Sequence, residues 1–197
     1  MRRQLVTALA MTIALTILTG IAYPLAVAAV GGAAFRHQAD GSFVSVNGKV
    51  VGSSLIGQLF DDRSGNPLPQ YFQPRPSAAG KDGYDATASG ASNLGPTNPA
   101  LLDKVDQRVK AYRALNGLAP DAPVPVDAVT ASASGLDPHI SVANAQLQAP
   151  RVAGVRHLAL ARVLALVRVH TEDRQLGFLG EKVVNVLELN LDLDRQK

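Results

Sequence analysis

The apolar positions divide this chain into two unlike parts. Gln4 to Phe35 runs 32 residues without a charged side chain, and 23 of the 31 residues of Leu5–Phe35 are hydrophobic. A helix needs about 20 apolar residues to cross a bilayer, and Leu5 to Val30 exceeds that length. Thr7, Thr12, Thr16 and Thr19 can return their hydroxyls to helix carbonyls, which makes them tolerable in lipid. Their spacing places them on one side, either as a packing face for another membrane helix or as plain lipid-facing positions. Tyr23-Pro24 is expected to kink the helix or mark its exit. Arg2, Arg3 and Ala26-Val27-Ala28 also fit a cleaved signal peptide, but signal cores run about 7–15 residues, so the segment reads as an uncleaved anchor.

Beyond the anchor the pattern shortens. Phe43–Val46 and Lys49–Val51 flank Asn47-Gly48, the preferred pair for a two-residue type I′ hairpin turn. Residues 61–99 hold prolines at 67, 69, 74, 76, 96 and 99 and five glycines, too much punctuation for long elements. Phe60, Tyr71, Phe72 and Tyr84 lie in or beside this stretch, which predicts an ordered loop region rather than a linker. Thr97-Asn98-Pro99 opens a helix carrying Leu101, Leu102, Val105, Val109 and Tyr112, and Asn116-Gly117 closes it. Val126–Ala133 reads as a strand. Ser141 caps a helix through Ala143, Ala145, Leu147 and Val152, with Pro150 kinking it. Leu158–Val169 reads as another apolar helix, and Val183–Leu193 alternates as a half-buried strand. Strands and helices mix without regular βαβ alternation, so the fold class is α+β. The expected organisation is a transmembrane helix with a short cytoplasmic start over 1–35 and one domain over 36–197.

Composition sharpens this. Of 197 residues 47% are hydrophobic and 18% charged, with no cysteine, so a disordered polar chain, a disulfide scaffold and thiolate chemistry are excluded. Outside the anchor the hydrophobic fraction falls into the ordinary globular range. Arg36–Lys197 carries 17 Lys and Arg against 16 Asp and Glu, so the basic pI does not indicate nucleic-acid binding. Arg2 and Arg3 precede the helix, while Arg36 and Lys49 follow it. By the positive-inside rule the N-terminus is cytoplasmic and the domain lies outside the cytoplasm.

The chain has no P-loop, no H-E-x-x-H and no G-x-S-x-G elbow, and its histidines (37, 139, 157, 170) are scattered. Ser134, Asp137 and His139 sit close together, where turn and capping roles outweigh a triad. Ser89–Pro96 is a rigid turn-rich loop or a binding loop. Arg151, Arg156, Arg162 and Arg168 read as a solvated face, with anion or partner binding as the sharper alternative.

Seven segments in order resemble one family: Gly20-Ile21-Ala22-Tyr23-Pro24; Gly52–Gln58; Tyr71-Phe72-Gln73-Pro74-Arg75-Pro76-Ser77; Ala88–Pro96; Thr130–Ser141; Pro150-Arg151-Val152-Ala153; and Val184–Asn190. In order, spacing and length they resemble the C subunit (KdpC) of the bacterial Kdp potassium-transporting ATPase. The resemblance implies a single-pass inner-membrane subunit with a periplasmic domain. Its implied partners are a channel-like potassium-binding subunit, a P-type ATPase subunit and a small single-helix subunit, besides membrane lipid. It also implies an accessory role rather than catalysis: support of assembly, and a catalytic-chaperone effect that raises the ATP affinity of the ATPase subunit. The family's proposed nucleotide-contacting glutamine falls at Gln148, with Gln146 nearby, which makes ATP the implied cofactor. An extracytoplasmic Gln148 sits away from cytoplasmic ATP, so the effect is expected to travel through the membrane helices. The readings from other classes are a membrane-anchored serine hydrolase using Ser134 or Ser89, and a free-standing ligand-binding module.

Overall fold

The computed structural model describes residues 1–196. Compact packing divides the chain into Met1–Val51 and Gly52–Lys197.

In the first unit, α1 (Arg2–Ile17), a π-helical turn (Leu18–Ala22) and α2 (Tyr23–Ala34) form one apolar helix of 33 residues. At 1.5 Å per residue it spans about 50 Å, more than the roughly 30 Å hydrocarbon core requires. Thr7, Thr12 and Thr19 donate their hydroxyls to Arg3 O, Ala8 O and Leu15 O at 2.7–3.0 Å, the back-bonding that lets a hydroxyl sit in lipid. The exit expected at Tyr23-Pro24 is corrected, because the helix continues to Ala34. Pro24 has no N–H to give and its ring crowds the preceding turn. The widened π turn just before it accommodates that loss without ending the helix. A short α3 (Arg36–Ala39) follows. The predicted hairpin then forms from β1 (Phe43–Val46) and β2 (Lys49–Ser53). Asn47 and Gly48 are both left-handed, at φ 51° and 78°, as a type I′ turn demands.

The second unit is α+β. Between β2 and α4 (Pro99–Asn116) the chain has only isolated bridges, as its prolines predicted. Asn98 caps α4 by accepting from Ala100 N, Pro99 occupies the first turn, and Gly117 ends the helix at φ 63°. Next come α5 (Val126–Val129), β3 (His139–Ser141), α6 (Val142–Val155), α7 (Leu160–Val169), β4 (Thr171–Glu172), β5 (Val183–Asn185) and α8 (Val186–Asp194). The sheet is antiparallel in the order β3-β5-β4, with Ile140 opposite Val184 and Glu172 opposite Val183. The core joins α6, α7, α8 and the sheet through Ala145, Ala149, Val152, Val163, Val184 and Leu189. Phe72, from the irregular segment, is fully buried among them.

Two expected strands are helical. Val126–Ala133 begins with the single turn α5, because Pro125 presets its start and Asp127 in that turn bonds Ser141. Val183–Leu193 is a strand only to Asn185. There the Asn185 side chain accepts from Glu188 N and starts α8. The buried positions Val186, Leu189, Asn190 and Leu193 then follow the 3.6-residue period, so the apparent alternation was a helix face read at the wrong period.

Candidate functional site

The centre of the second unit is a grip on an extended segment that lacks a strand partner. Phe72 and Gln73 are followed by Pro74, and a proline cannot donate to a ladder. Two side-chain amides stand in for a neighbouring strand. Asn190 of α8 accepts from Phe72 N–H at 2.9 Å and donates to Phe72 C=O at 2.9 Å. Gln148 of α6 accepts from Gln73 N–H at 2.7 Å and donates to Gln73 C=O at 3.1 Å. Each amide reproduces the donor–acceptor pair of a peptide group, so four buried or half-buried backbone groups are satisfied.

Gln148 is held in turn by its own helix. Its Nε2 also donates to Asn144 Oδ1 at 2.9 Å, and its Oε1 accepts from Arg151 at 2.8 Å. Asn144, Gln148 and Arg151 fall on one face because four and three residues separate them along α6. Asn144 Oδ1 also accepts from the Tyr112 hydroxyl, and Asn144 donates to Asp127 Oδ2 at 2.9 Å. Asp127 accepts Ser141 N–H and Oγ–H as well, tying α5 to the cap of α6. The chain of bonds Asp127–Asn144–Gln148–Arg151–Asn116 is continuous, with Arg151 Nε donating to Asn116 Oδ1 at 2.9 Å.

Arg151 and Arg156 correct the expectation of a solvated face, which holds for the exposed Arg162 and Arg168. Arg151 donates to the Pro69 and Tyr71 carbonyls, and burial pushes its guanidinium down to about 10, still cationic at neutral pH. Arg156 bonds the Gln70 and Leu193 carbonyls and Asp194, and its guanidinium lies 4.8 Å from the Tyr71 ring centre. Both are internal struts for the 69–73 segment. Arg162 reaches Gln196 Oε1.

The Ser134, Asp137 and His139 group resolves into turn and capping bonds. Ser134 Oγ accepts from Leu136 N–H and pairs with Ser132 Oγ, while its carbonyl receives Ser89 Oγ–H and Gly90 N–H. Among the described residues no hydrogen bond joins Ser134 or Ser89 to His139. Ser89–Gly90 is therefore pinned to the Ser132–Gly135 turn. Asp137 accepts from Arg75 at 2.9 Å and from His139 N–H at 3.0 Å. The His139 ring lies between Asp137 Oδ1 at 3.4 Å and Glu172 Oε1 at 3.5 Å. The Asp137 bond, with the nearby Glu172 charge, holds the imidazole above its ordinary value near 6.5, against the opposing effect of burial. Burial pushes the Asp137 carboxyl up, but His139 and Arg75 outweigh it and leave it lowered.

Two cavities flank these networks. One of about 320 Å³ lies along Pro67, Pro74, Pro76 and Tyr112, with Gln148 in its wall and Arg108 and Asp61 at polar positions. Burial, with the Asp62 charge beside it, raises the Asp61 carboxyl. The other, about 580 Å³, is lined by Arg75, Asp137, His139, Glu172 and Lys182. Among the described residues no three His, Asp or Glu side chains converge in a metal-holding group. The family resemblance pointed to Gln148, for a nucleotide contact, and the residue pattern itself passed over Asn190, Asn144 and Asp127. The available signal was an asparagine at the buried period of α8 and another one turn before Gln148.

Comparison with known proteins places the chain in a family. The family model described as KdpC, K+-transporting ATPase, c chain, matches residues 5–195. A Mycobacterium tuberculosis protein named Potassium-transporting ATPase KdpC subunit is 57% identical over 195 residues, 99% of this chain and 100% of that protein. Proteins of the same name from Koribacter versatilis and Sorangium cellulosum are 49% and 56% identical, covering 98% and 95% of this chain and 95% of each relative. With a match this long, and with relatives this similar end to end, the chain belongs to the KdpC family.

Proposed function

We propose that this chain is a non-catalytic accessory subunit of an ATP-driven, high-affinity potassium import complex. In that role it supports assembly and raises the ATP affinity of the P-type ATPase subunit. The observation that carries the reading is the family match over residues 5–195. The 33-residue apolar helix fits a single pass through the inner membrane. Arg2 and Arg3 favour a cytoplasmic N-terminus and a periplasmic domain. The partners in this reading are the channel-like potassium-binding subunit, the P-type ATPase subunit, the small single-helix subunit and lipid.

ATP acts here through the complex. Gln148, the position that the resemblance offers for nucleotide contact, is 1% exposed and has both amide atoms engaged. A direct contact would first have to break its pairing with Gln73. An influence on ATP affinity needs only a differential interaction with two states of the complex. The test is the complex with residues 36–197 deleted and the helix retained. The reading expects KM for ATP to rise several-fold while the helix still co-purifies. An unchanged KM would refute the affinity role. Protease access to the domain in spheroplasts, and protection in inverted vesicles, checks the orientation.

A further inference from the structure

His139 stands between two carboxylates held from opposite edges of the sheet. The strand order is β3-β5-β4, so β5 separates His139 on β3 from Glu172 on β4. Their partners on β5 are Asn185 and Val183, two residues apart, so both side chains leave the same face. The ring spans the gap, with Nδ1 3.4 Å from Asp137 Oδ1 and Nε2 3.5 Å from Glu172 Oε1. The two carboxylates are unequally held. Asp137 is fixed whatever the ring does, because Arg75 pairs with its Oδ2 at 2.9 Å and His139 N–H donates to its Oδ1 at 3.0 Å. Glu172 ends a strand of two residues, and among the described residues the ring is its one ion-pair partner.

An imidazolium donates from both ring nitrogens, whereas a neutral imidazole donates from one and presents a lone pair at the other. A ring with a carboxylate at each nitrogen is therefore satisfied only when protonated. On losing a proton it keeps its N–H on the fixed, Arg75-paired Asp137, and its lone pair then faces the Glu172 carboxylate. The other charged groups around the ring are already engaged. Asp127 on α5 is occupied by Ser141 and Asn144. Across the same 580 Å³ cavity Asp173 pairs with Lys182, and Glu181 pairs with Arg174, both at 2.6 Å. His170, just before β4, meets Asp192 of α8 at 2.7 Å. We propose that His139 is a proton-operated latch on the sheet edge: protonated, it holds β4 and the 173–182 excursion to the Asp137 turn, and neutral, it releases them. The Asp137 contact, with the Glu172 charge, raises His139 in the folded chain. The latch is thus closed below pH 6.5 and opens as pH rises through the folded value. It belongs to the domain itself and stands whether or not the accessory-subunit reading does.

The chain has no cysteine, so Phe178→Cys on the excursion and Leu102→Cys on α4, both exposed, can carry a pair of spin labels. Distances between the labels are measured by pulsed electron resonance on the full chain in detergent, at about pH 5.5 and about pH 8. With His139 and Glu172 intact, a single narrow distance is expected at the lower pH. A second, displaced population should grow roughly two- to fivefold at the higher pH, the effect of losing one partly exposed ion pair. His139→Ala should show the displaced population at both pH values. Glu172→Gln should show little of it at either, because an amide accepts from the protonated ring and donates to the neutral one. His170→Gln should leave the step in place. An unchanged distribution in the parent chain, or a step that survives His139→Ala or Glu172→Gln, overturns the inference. If His139→Ala fails to fold by circular dichroism, Glu172→Gln decides, since that side chain is 58% exposed.

Discussion

Gln148→Ala separates a structural role from a ligand-binding one. The substitution strands the Gln73 N–H and C=O, and it also removes an acceptor from Arg151 and a donor from Asn144. Asn144 keeps Tyr112, and Arg151 keeps Asn116 and two carbonyls, so the main loss falls on Gln73. Leaving a buried donor or acceptor unpaired costs about 1–3 kcal/mol per group. Two groups give about 2–6 kcal/mol, and the 320 Å³ cavity beside Gln148 lets water recover part of that. The expected destabilisation is therefore about 2–4 kcal/mol. For a chain of this size that lowers Tm by roughly 5–15 °C. Thermal unfolding of the full chain in detergent, followed by far-ultraviolet circular dichroism, measures it. Gln148→Glu keeps the volume and gains a charge partner in Arg151, but an ionised carboxylate cannot donate to Gln73 C=O, so it should also lose stability. Wild-type melting of Gln148→Ala, together with weakened nucleotide binding, would refute the reasoning and assign Gln148 to a ligand.

Other positions carry independent expectations. Gly135→Ala places a Cβ 2.6 Å from Gly90 O and 2.7 Å from Ala79 Cβ at a backbone φ of +69°, so a loss of about 3 kcal/mol is expected in urea unfolding. Arg156→Ala gives up two carbonyl bonds, the Asp194 pair and the Tyr71 ring, for about 2–3 kcal/mol; Arg156→Lys should recover only part, since an ammonium lacks the fork that bonds Gln70 and Leu193 together. Because His139 is raised in the folded chain, its stabilising contribution is full below pH 6.5 and is lost as pH rises through the folded value. Melting temperature should thus fall with pH above 6.5 in the wild type, and His139→Gln should flatten that slope. Asn98→Ala removes the cap of α4 and should cost about 1 kcal/mol.

Local signals in the sequence survived folding well. The charge-free run, the Asn47-Gly48 turn, the Asn98-Pro99 start and Gly117 stop of α4, and the Ser141 cap each depend on residues within one or two turns of one another, and each formed as read. The misreadings at 126–133 and 183–193 came from short windows in which a helix face and a strand face share the same apolar positions. Asn185 decided the second of these, because a capping side chain turned the chain into a helix before the alternation could matter. The tertiary network was beyond local reading. Gln148 and Gln73 are 75 residues apart, and Asn190 and Phe72 are 118 apart. The same distance explains the arginines. Arg151 and Arg156 look solvated at helical spacing until the 69–73 segment is laid across them.

The prolines of that segment account for the kind of contact chosen. In Phe72-Gln73-Pro74-Arg75-Pro76 every second residue from Pro74 onward lacks an N–H, so no strand could continue a ladder along it. Yet Phe72 is fully buried, and its peptide groups must be satisfied away from water. Side-chain amides meet both conditions. Asn190 and Gln148 supply one donor and one acceptor each at the two residues before Pro74, and they ask nothing of the prolines. Pro76, which can only accept, receives Ser132 N–H at 3.3 Å. Replacing Pro74 with Ala should then leave the clasp intact, because Pro74 contributes no hydrogen bond to it. The cost would be limited to the unfolded-state entropy that a proline removes, about 1 kcal/mol or less. A loss as large as that of Gln148→Ala would mean that the rigid ring itself, rather than the paired amides, holds the segment in place.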